Sequence, residues 1–170
     1  MISFTIYGDP RPQARARRSK NGGMYTPNDK GKNRDKEGSV DYRKKVRNAA
    51  EEAMQEELAT PLMKGPVCVF IQIVKQSKTT GWKKGDREWL DAGGLILHPK
   101  KPDADNVLKQ ICDACNGVVW IDDSQVVFAH AAKTHGRESL VRVWVWEPKK
   151  IEWTHDSIEE FVELIERQTR

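Results

Sequence analysis

Five aspartates crowd into the stretch from Lys100 to Gln125, KKPDADNVLKQICDACNGVVWIDDSQ, around one short predicted helix. Asp103 and Asp105 stand at its start, Asp113 lies inside it, and Asp122 and Asp123 follow it. Like charges this close raise one another's pKa values unless a cation shares the site, and a divalent metal is the usual one. Asp103 and Asp105 are two residues apart, so in extended chain their carboxylates point to one side. Pro102 restricts the residue before it and favours that extended entry. The helix is expected to begin at Asp105 or Asn106, with Asp105 available as its cap. Val107, Leu108, Ile111, Cys112 and Cys115 then form a buried stripe, with Lys109 and Asp113 on the other side. Lys109 follows Asp105 by four residues, so one turn brings its ammonium back toward the carboxylates. There it balances charge when metal is absent, and contacts a phosphate or developing oxyanion when substrate is bound.

Gly117 ends the helix, Val118 to Ile121 reads as a short strand or extended turn, and Asp122-Asp123 follows. If this segment folds back beside the helix start, one of the two aspartates joins Asp103 and Asp105 and three carboxylates converge. Hard oxygen donors with open positions suit Mg²⁺, or Mn²⁺ in its place, which keep waters and take further ligands from phosphate. In phosphodiester hydrolysis such a metal activates water, orients the phosphate and stabilises the leaving oxygen. A DxD before a helix also describes a capped, solvated acidic turn, and DxD occurs at metal–nucleotide sites of sugar transferases. The combination of DxDN, Lys109 and a second acidic pair favours the metal, and the charge distribution then selects nucleic acid over a sugar nucleotide.

That distribution is uneven. Residues 1–50 hold 13 Lys or Arg against 5 Asp or Glu, residues 51–150 balance at 14 and 14, and residues 151–170 hold 2 against 6. The basic front end is a footprint for polyanions. Its cations, Arg11, Arg15, Arg17, Arg18, Lys20 and farther on Arg34, fall among Pro, Gly and Asn residues that discourage regular structure. A mobile basic loop over 9–38 is expected, in which Arg11, Arg15, Arg17, Arg18 and Lys20, together with Lys101, contact phosphate, with Tyr25 suited to stacking on a base.

A length of 170 residues suits one domain with a core of its own. No run approaches the roughly 20 apolar residues of a membrane span, and MISFTIYGDPRP lacks a signal-peptide layout. A cytoplasmic protein with no membrane partner is expected. Three cysteines suggest reduced thiols. Cys112 and Cys115 form a CxxC without the second pair or spaced histidine of a zinc site, and at helical spacing they read as packing residues. His98, His130, His135 and His155 show no ligand spacing and receive no chemical role.

The elements that must position the aspartates follow from periodicity. Ser3–Tyr7 alternates as a strand before Gly8-Asp9-Pro10. A helix is expected from Ser39, as N-cap, to before Thr60-Pro61, with Val40, Tyr42, Val46, Ala49, Ala50, Ala53, Met54 and Leu58 on its apolar side. Residues 67–74, VCVFIQIV, read as a buried strand. Residues 75–102 form a long glycine-broken connection. Its Trp82 and Trp89 suit base stacking beside nearby lysines, or folding back on the core. Strands at 126–135 and 139–146 are joined at Gly136-Arg137 and look like a hairpin. Arg142, Trp144 and Trp146 are on one face of the second, and Val141, Val143 and Val145 on the other. An acidic helix closes the chain, capped near Ser157 with Glu160, its stripe formed by Ile158, Phe161, Val162 and Ile165.

At KPDADNVLKQICDACNGVVWIDDSQV the chain resembles the RusA family of Holliday-junction resolvases, small endonucleases common in bacteriophages and prophages. The shared pattern is a DxDN element, a following lysine, an aspartate on the helix and a DDxQ-type turn. The likeness extends more loosely to FTIYGDPRPQARAR…YTP and to the final strand pair, covering most of residues 1–146. It implies an α+β single domain, a mixed β-sheet flanked by helices, spanning 1–150, with the acidic helix of 151–170 packed on it. It implies Asp103, Asp105 and Asp123 as metal-binding catalytic carboxylates, Asp122 as a further candidate ligand, and Lys109 as catalytic lysine. It implies a homodimer whose two sites cut opposed strands of a four-way junction. The 75–102 insertion and the acidic terminal helix depart from short family members. A non-catalytic DNA-binding accessory protein and a DxD metal–nucleotide transferase are the competing readings.

Overall fold

The computed structural model describes residues 1–14, 17–25, 38–56, 62–77 and 82–148. The expected terminal helix with Ser157 and Glu160, and the cations Arg15 and Arg34, lie outside the described residues.

The most apolar stretch of the chain sits in the middle of the sheet. Strand β1 (Ile2–Tyr7), the short pair β2 (Arg17–Arg18) and β3 (Met24–Tyr25), and helix α1 (Ser39–Glu56) come first. Strand β4 (Val67–Gln76), helix α2 (Lys84–Asp91), strand β5 (Ile96–Leu97) and helix α3 (Ala104–Cys115) follow, then β6 (Val126–Gly136) and β7 (Leu140–Trp146). The main sheet has the order β1-β7-β4-β6-β5. Only the β4–β6 pair is parallel; β1–β7, β4–β7 and β5–β6 are antiparallel. The fold is thus α+β, a mixed five-stranded sheet with three helices among the described residues.

The expected hairpin of β6 and β7 does not form, because β4 lies between them. A strand with apolar side chains on both faces must be flanked on both edges to keep its backbone satisfied and its faces covered. VCVFIQIV meets that description, and the connection Arg137–Ser139 crosses over its end. Gln76 donates its amide to Ser139 Oγ at 3.0 Å and Ser77 to the Gly136 carbonyl at 3.3 Å, tying the crossing down. Gly136 is required there: a Cβ on it would lie 2.3 Å from Val74 Cγ1. Val74 is buried and has little room to yield. Gly136→Ala is therefore expected to cost about 1–3 kcal/mol through overpacking, read as a lower midpoint in urea unfolding with an unchanged slope.

One face of the sheet carries the core. Ile2 and Ile6, Val67, Val69, Ile71 and Ile73, and Val141, Val143 and Val145 are buried there with Tyr42, Val46, Ala50 and Ala53 of α1 and Val107, Ile111, Ala114 and Cys115 of α3. Helix α1 packs on β1 and α3, and α3 on β6. On the other face Trp144 and His130 flank Phe70, each with ring centroids 5.4 Å from it, the His130 ring stacked and the Trp144 ring tilted.

Three local expectations are corrected. Ser39 is the first helical residue of α1 rather than its cap, and the Gly38 amide donates to Asp41 Oδ2 at 3.3 Å. The basic loop is not irregular throughout: Arg17–Arg18 pairs with Met24–Tyr25 across Ser19–Gly23, where Gly22 adopts φ +83°. The connection from 75 to 102 contains α2 and β5, and Trp82 packs edge-to-face on His135 at 4.9 Å. Trp89 is exposed, with its ring seated over Gly94, where any Cβ would fall 2.3 Å away.

Candidate functional site

Helix α3 is seated by a buried stripe of Val107, Gln110, Ile111, Ala114 and Cys115. At 3.6 residues per turn, that stripe leaves a solvent ridge on which Asp105 and Lys109 stand one turn apart, both exposed. They form no ion pair with one another. The helix begins one residue earlier than expected, with Asp103 rather than Asp105 as N-cap and without a side-chain capping bond. Gln110 is a buried polar residue the periodicity did not mark; its Nε2 donates to the Ser39 carbonyl at 2.6 Å and fastens α3 to the start of α1.

The turn ahead of α3 is held from the sheet. Lys133 of β6 donates to the carbonyls of Lys100 and Pro102 at 2.8 and 3.0 Å. His98, buried, lies 3.1 Å from the Lys101 carbonyl through Nε2; a carbonyl only accepts, so Nε2 donates. Its Nδ1 lies 3.2 Å from His135 Nε2. Burial, then the neighbouring His98 and Lys100, pull the His135 pKa below its ordinary value. Histidines unassigned by spacing thus carry a positioning role at the approach to Asp103.

Asp103 and Asn106 line a cleft of about 650 Å³ together with the N-terminal loop from Asp9 to Ala14, and Arg17, Ser39, Lys75, Lys101 and Pro102 complete it. Arg11, Arg17, Lys75 and Lys101 outnumber Asp9 and Asp103 on its walls. Lys75 pairs with Asp9 at 2.6 Å, and its hydrogen bond holds the Asp9 carboxyl below the usual carboxylate value. Arg11 Nε is buried with no hydrogen-bond partner. Arg18 and Lys20 lie outside this lining, on β2 and the turn after it.

Asp123 bears on Cys112 and Cys115: burial first, then the Asp123 charge, pushes the Cys112 thiol up to about 12, and burial followed by Cys112 and Asp123 raises Cys115 as well. All three cysteines are free, and thiols so hard to ionise behave as packing residues. Asp123 Oδ1 accepts from Trp120 Nε1 at 3.1 Å. Asp122 is engaged differently. Its Oδ1 accepts the Ser124 amide at 2.9 Å, hydrogen bonding by the Ser124 side chain and then by that amide holds its carboxyl below the usual value, and it caps the short 3-10 turn Asp123–Gln125. Gln125 completes that capping box: its Oε1 takes the amides of Ile121 and Asp122, while its Nε2 donates to the carbonyls of Met63 and Gly65. The Asp-x-x-Gln spacing was the available signal for this box.

Asp113 accepts from Gln13 Nε2 and from Arg43 Nη2, the latter at 3.2 Å. The structure therefore brings Asp103, Asn106 and the basic loop together, places Asp105 and Lys109 exposed one turn apart on α3, and has Asp123 accept from the Trp120 indole. Among the described residues no group of three or more His, Cys, Asp or Glu side chains is gathered to hold a metal. The exposed Asp103 and Asp105 carboxylates still fit a hard divalent ion, since Mg²⁺ commonly takes one or two carboxylates and completes its shell with phosphate oxygens and water. No described helix is long and apolar enough to cross a membrane.

The family model for Endodeoxyribonuclease RusA matches residues 7–145, from the end of β1 through most of β7. The uncharacterized protein YqaN of Bacillus subtilis (strain 168) is 32% identical over 148 residues, covering 86% of this chain and 96% of the relative.

Proposed function

The chain belongs to the RusA endodeoxyribonuclease family, and we propose that it is a Mg²⁺-dependent, structure-selective endonuclease that resolves Holliday junctions or related branched DNA by phosphodiester hydrolysis. The observation that carries this reading is the cleft in which the basic N-terminal loop faces Asp103 and Asn106 at the start of α3. Its cations match the spaced charges of a DNA backbone, and its acidic edge is where a metal would meet a phosphate held by them.

In this reading Asp103 and Asp105 would hold the metal, Asp123, which the family pattern would add, is not gathered with them among the described residues, and Asp122 serves as a cap. The chemistry an ion held there would supply is activation of a water and stabilisation of the leaving oxygen. Arg11, Arg17 and Lys101 hold phosphates along the cleft, and Arg15, Arg18 and Lys20 extend that contact. Lys109 reaches the scissile phosphate or its developing charge from one turn beyond Asp105. A homodimer presents two such sites to opposed strands of a four-way junction. The test is cleavage of a labelled four-way junction beside a linear duplex of the same sequence in Mg²⁺. Preferential cutting of the junction is expected; equal cutting of both, or binding without cutting, contradicts the proposal.

A further inference from the structure

The loop that faces Asp103 is held at both ends. At its start the Asp9 carboxylate pairs with Lys75 of β4 at 2.6 Å, and the Gly8 amide donates to the Ser139 carbonyl at 2.8 Å. At its far end Gln13 makes two bonds to one helix: its amide donates to the Asn106 carbonyl at 3.1 Å, and its side-chain Nε2 donates to Asp113 Oδ2. Helical carbonyls point toward the C-terminus, so a residue bonded to the carbonyl of Asn106 is placed to reach a side chain farther along α3. The same Asp113 oxygen accepts from Arg43 of α1 at 3.2 Å, which fixes the carboxylate between two donors. Between the anchors run Pro10, Arg11 and Pro12, a segment whose prolines lock two of its backbone angles. Its Arg11 Nε is buried without a partner in the wall of the cleft, and an unsatisfied donor there favours an anion.

We infer that Gln13 and Asp113 form a clamp that ties the phosphate-holding loop to the helix bearing Asp103 and Asp105, setting the distance between where DNA is held and where it is cut. The inference rests on the endonuclease reading for its consequence, though not for its geometry. Asp113 is a positioning residue: its contacts are Gln13 and Arg43, and it acts through Gln13 on Arg11. This gives the aspartate inside the helix a task distinct from that of Asp103 and Asp105, and it explains why Gln13 is turned toward α3.

Two measurements on the full chain test the clamp. The first needs no DNA: amide hydrogen exchange over residues 10–14, which reports local opening. Asp113→Ala and Gln13→Ala are each expected to speed exchange there by about 10-fold or more while the β4 and β7 amides keep their protection. Asp113→Asn retains an acceptor for Gln13 and is expected to stay near the unsubstituted rate. Unchanged exchange in both alanine variants overturns the clamp. The second is steady-state cleavage of a four-way junction. Either alanine variant is expected to raise KM by about 10-fold with kcat held within about 2-fold, because holding is weakened rather than chemistry. The double variant is expected to be no worse than the poorer single one, since both remove the same contact. Additive losses, or a fall in kcat at unchanged KM, overturn it. Were the unsubstituted protein to show no activity on branched DNA, the endonuclease reading would fail on its own, and the exchange measurement would still decide the clamp.

Discussion

The Asp105→Asn protein is expected to bind a four-way junction at least as tightly as the unsubstituted chain and to cut it about 100- to 1000-fold more slowly in Mg²⁺, the scale on which removing one electrostatic stabiliser acts. Asparagine keeps the shape and one acceptor oxygen but removes the negative charge that draws a divalent ion. Asp105 stands exposed in the first turn of α3, beside the cleft edge formed by Asp103 and Asn106, so the same change removes an anion facing DNA phosphates. At contact range in water that repulsion is about 1 kcal/mol, and in EDTA the variant is expected to bind up to about 5-fold more tightly. Fold stability should fall little, since an acidic residue near a helix N-terminus contributes about 0.3–1 kcal/mol. Full Mg²⁺-dependent cleavage by this variant, measured beside its affinity in gel shift, would remove Asp105 from the site. The opposite directions of binding and cutting separate this outcome from simple misfolding.

The second large effect is on affinity. Replacing Arg11, Arg17 and Arg18 with glutamine is expected to lower junction affinity by about 100-fold near 0.1 M salt and to reduce the slope of log K against log salt by up to about 2.7, each lost phosphate contact contributing about 0.9. Arg11 and Arg17 line the cleft, and Arg18 lies beside Arg17 on the two-stranded β2–β3 pair. The turnover at saturating DNA should change little, because these side chains hold the backbone rather than the reacting atoms. An unchanged salt slope would show that the basic loop faces away from the DNA. Loss of affinity with the slope intact would instead point to a stacking or shape contribution.

The elements that the sequence made legible are those whose burial is periodic. The stripe of Tyr42, Val46, Ala50 and Ala53 and that of Val107, Ile111 and Cys115 repeat at helical spacing and became α1 and α3. VCVFIQIV read as a buried strand and is the sheet's centre. The pairing of strands was not legible in the same way. A three-residue connection between β6 and β7 satisfies a local hairpin rule, and only the demand of β4 for two neighbours displaces it. The short elements α2 and β5 escaped notice because α2 buries no residue fully and β5 is only two residues long.

For the candidate site, the DxDN element falls at the start of α3, where Asp103 and Asn106 line the cleft. The convergence of Asp123 depended on how the chain returns after Gly117, which residue spacing does not encode. Gln13, Lys75 and Lys133 were passed over because each acts through a partner 30 or more positions away in the chain, as does His98 in its contact with His135. Asp122 and Asp123 are indistinguishable as letters; the amide of Ser124 and the indole of Trp120 give them different neighbours.

The central claim is that this cleft cuts branched DNA with a metal, and the most direct test maps nicks on a four-way junction carrying a label on each strand in turn, with Mg²⁺ and with EDTA. The account predicts nicks in two opposed strands at equal distances from the branch point in Mg²⁺ only. Tight junction binding with every strand intact in Mg²⁺ would contradict it.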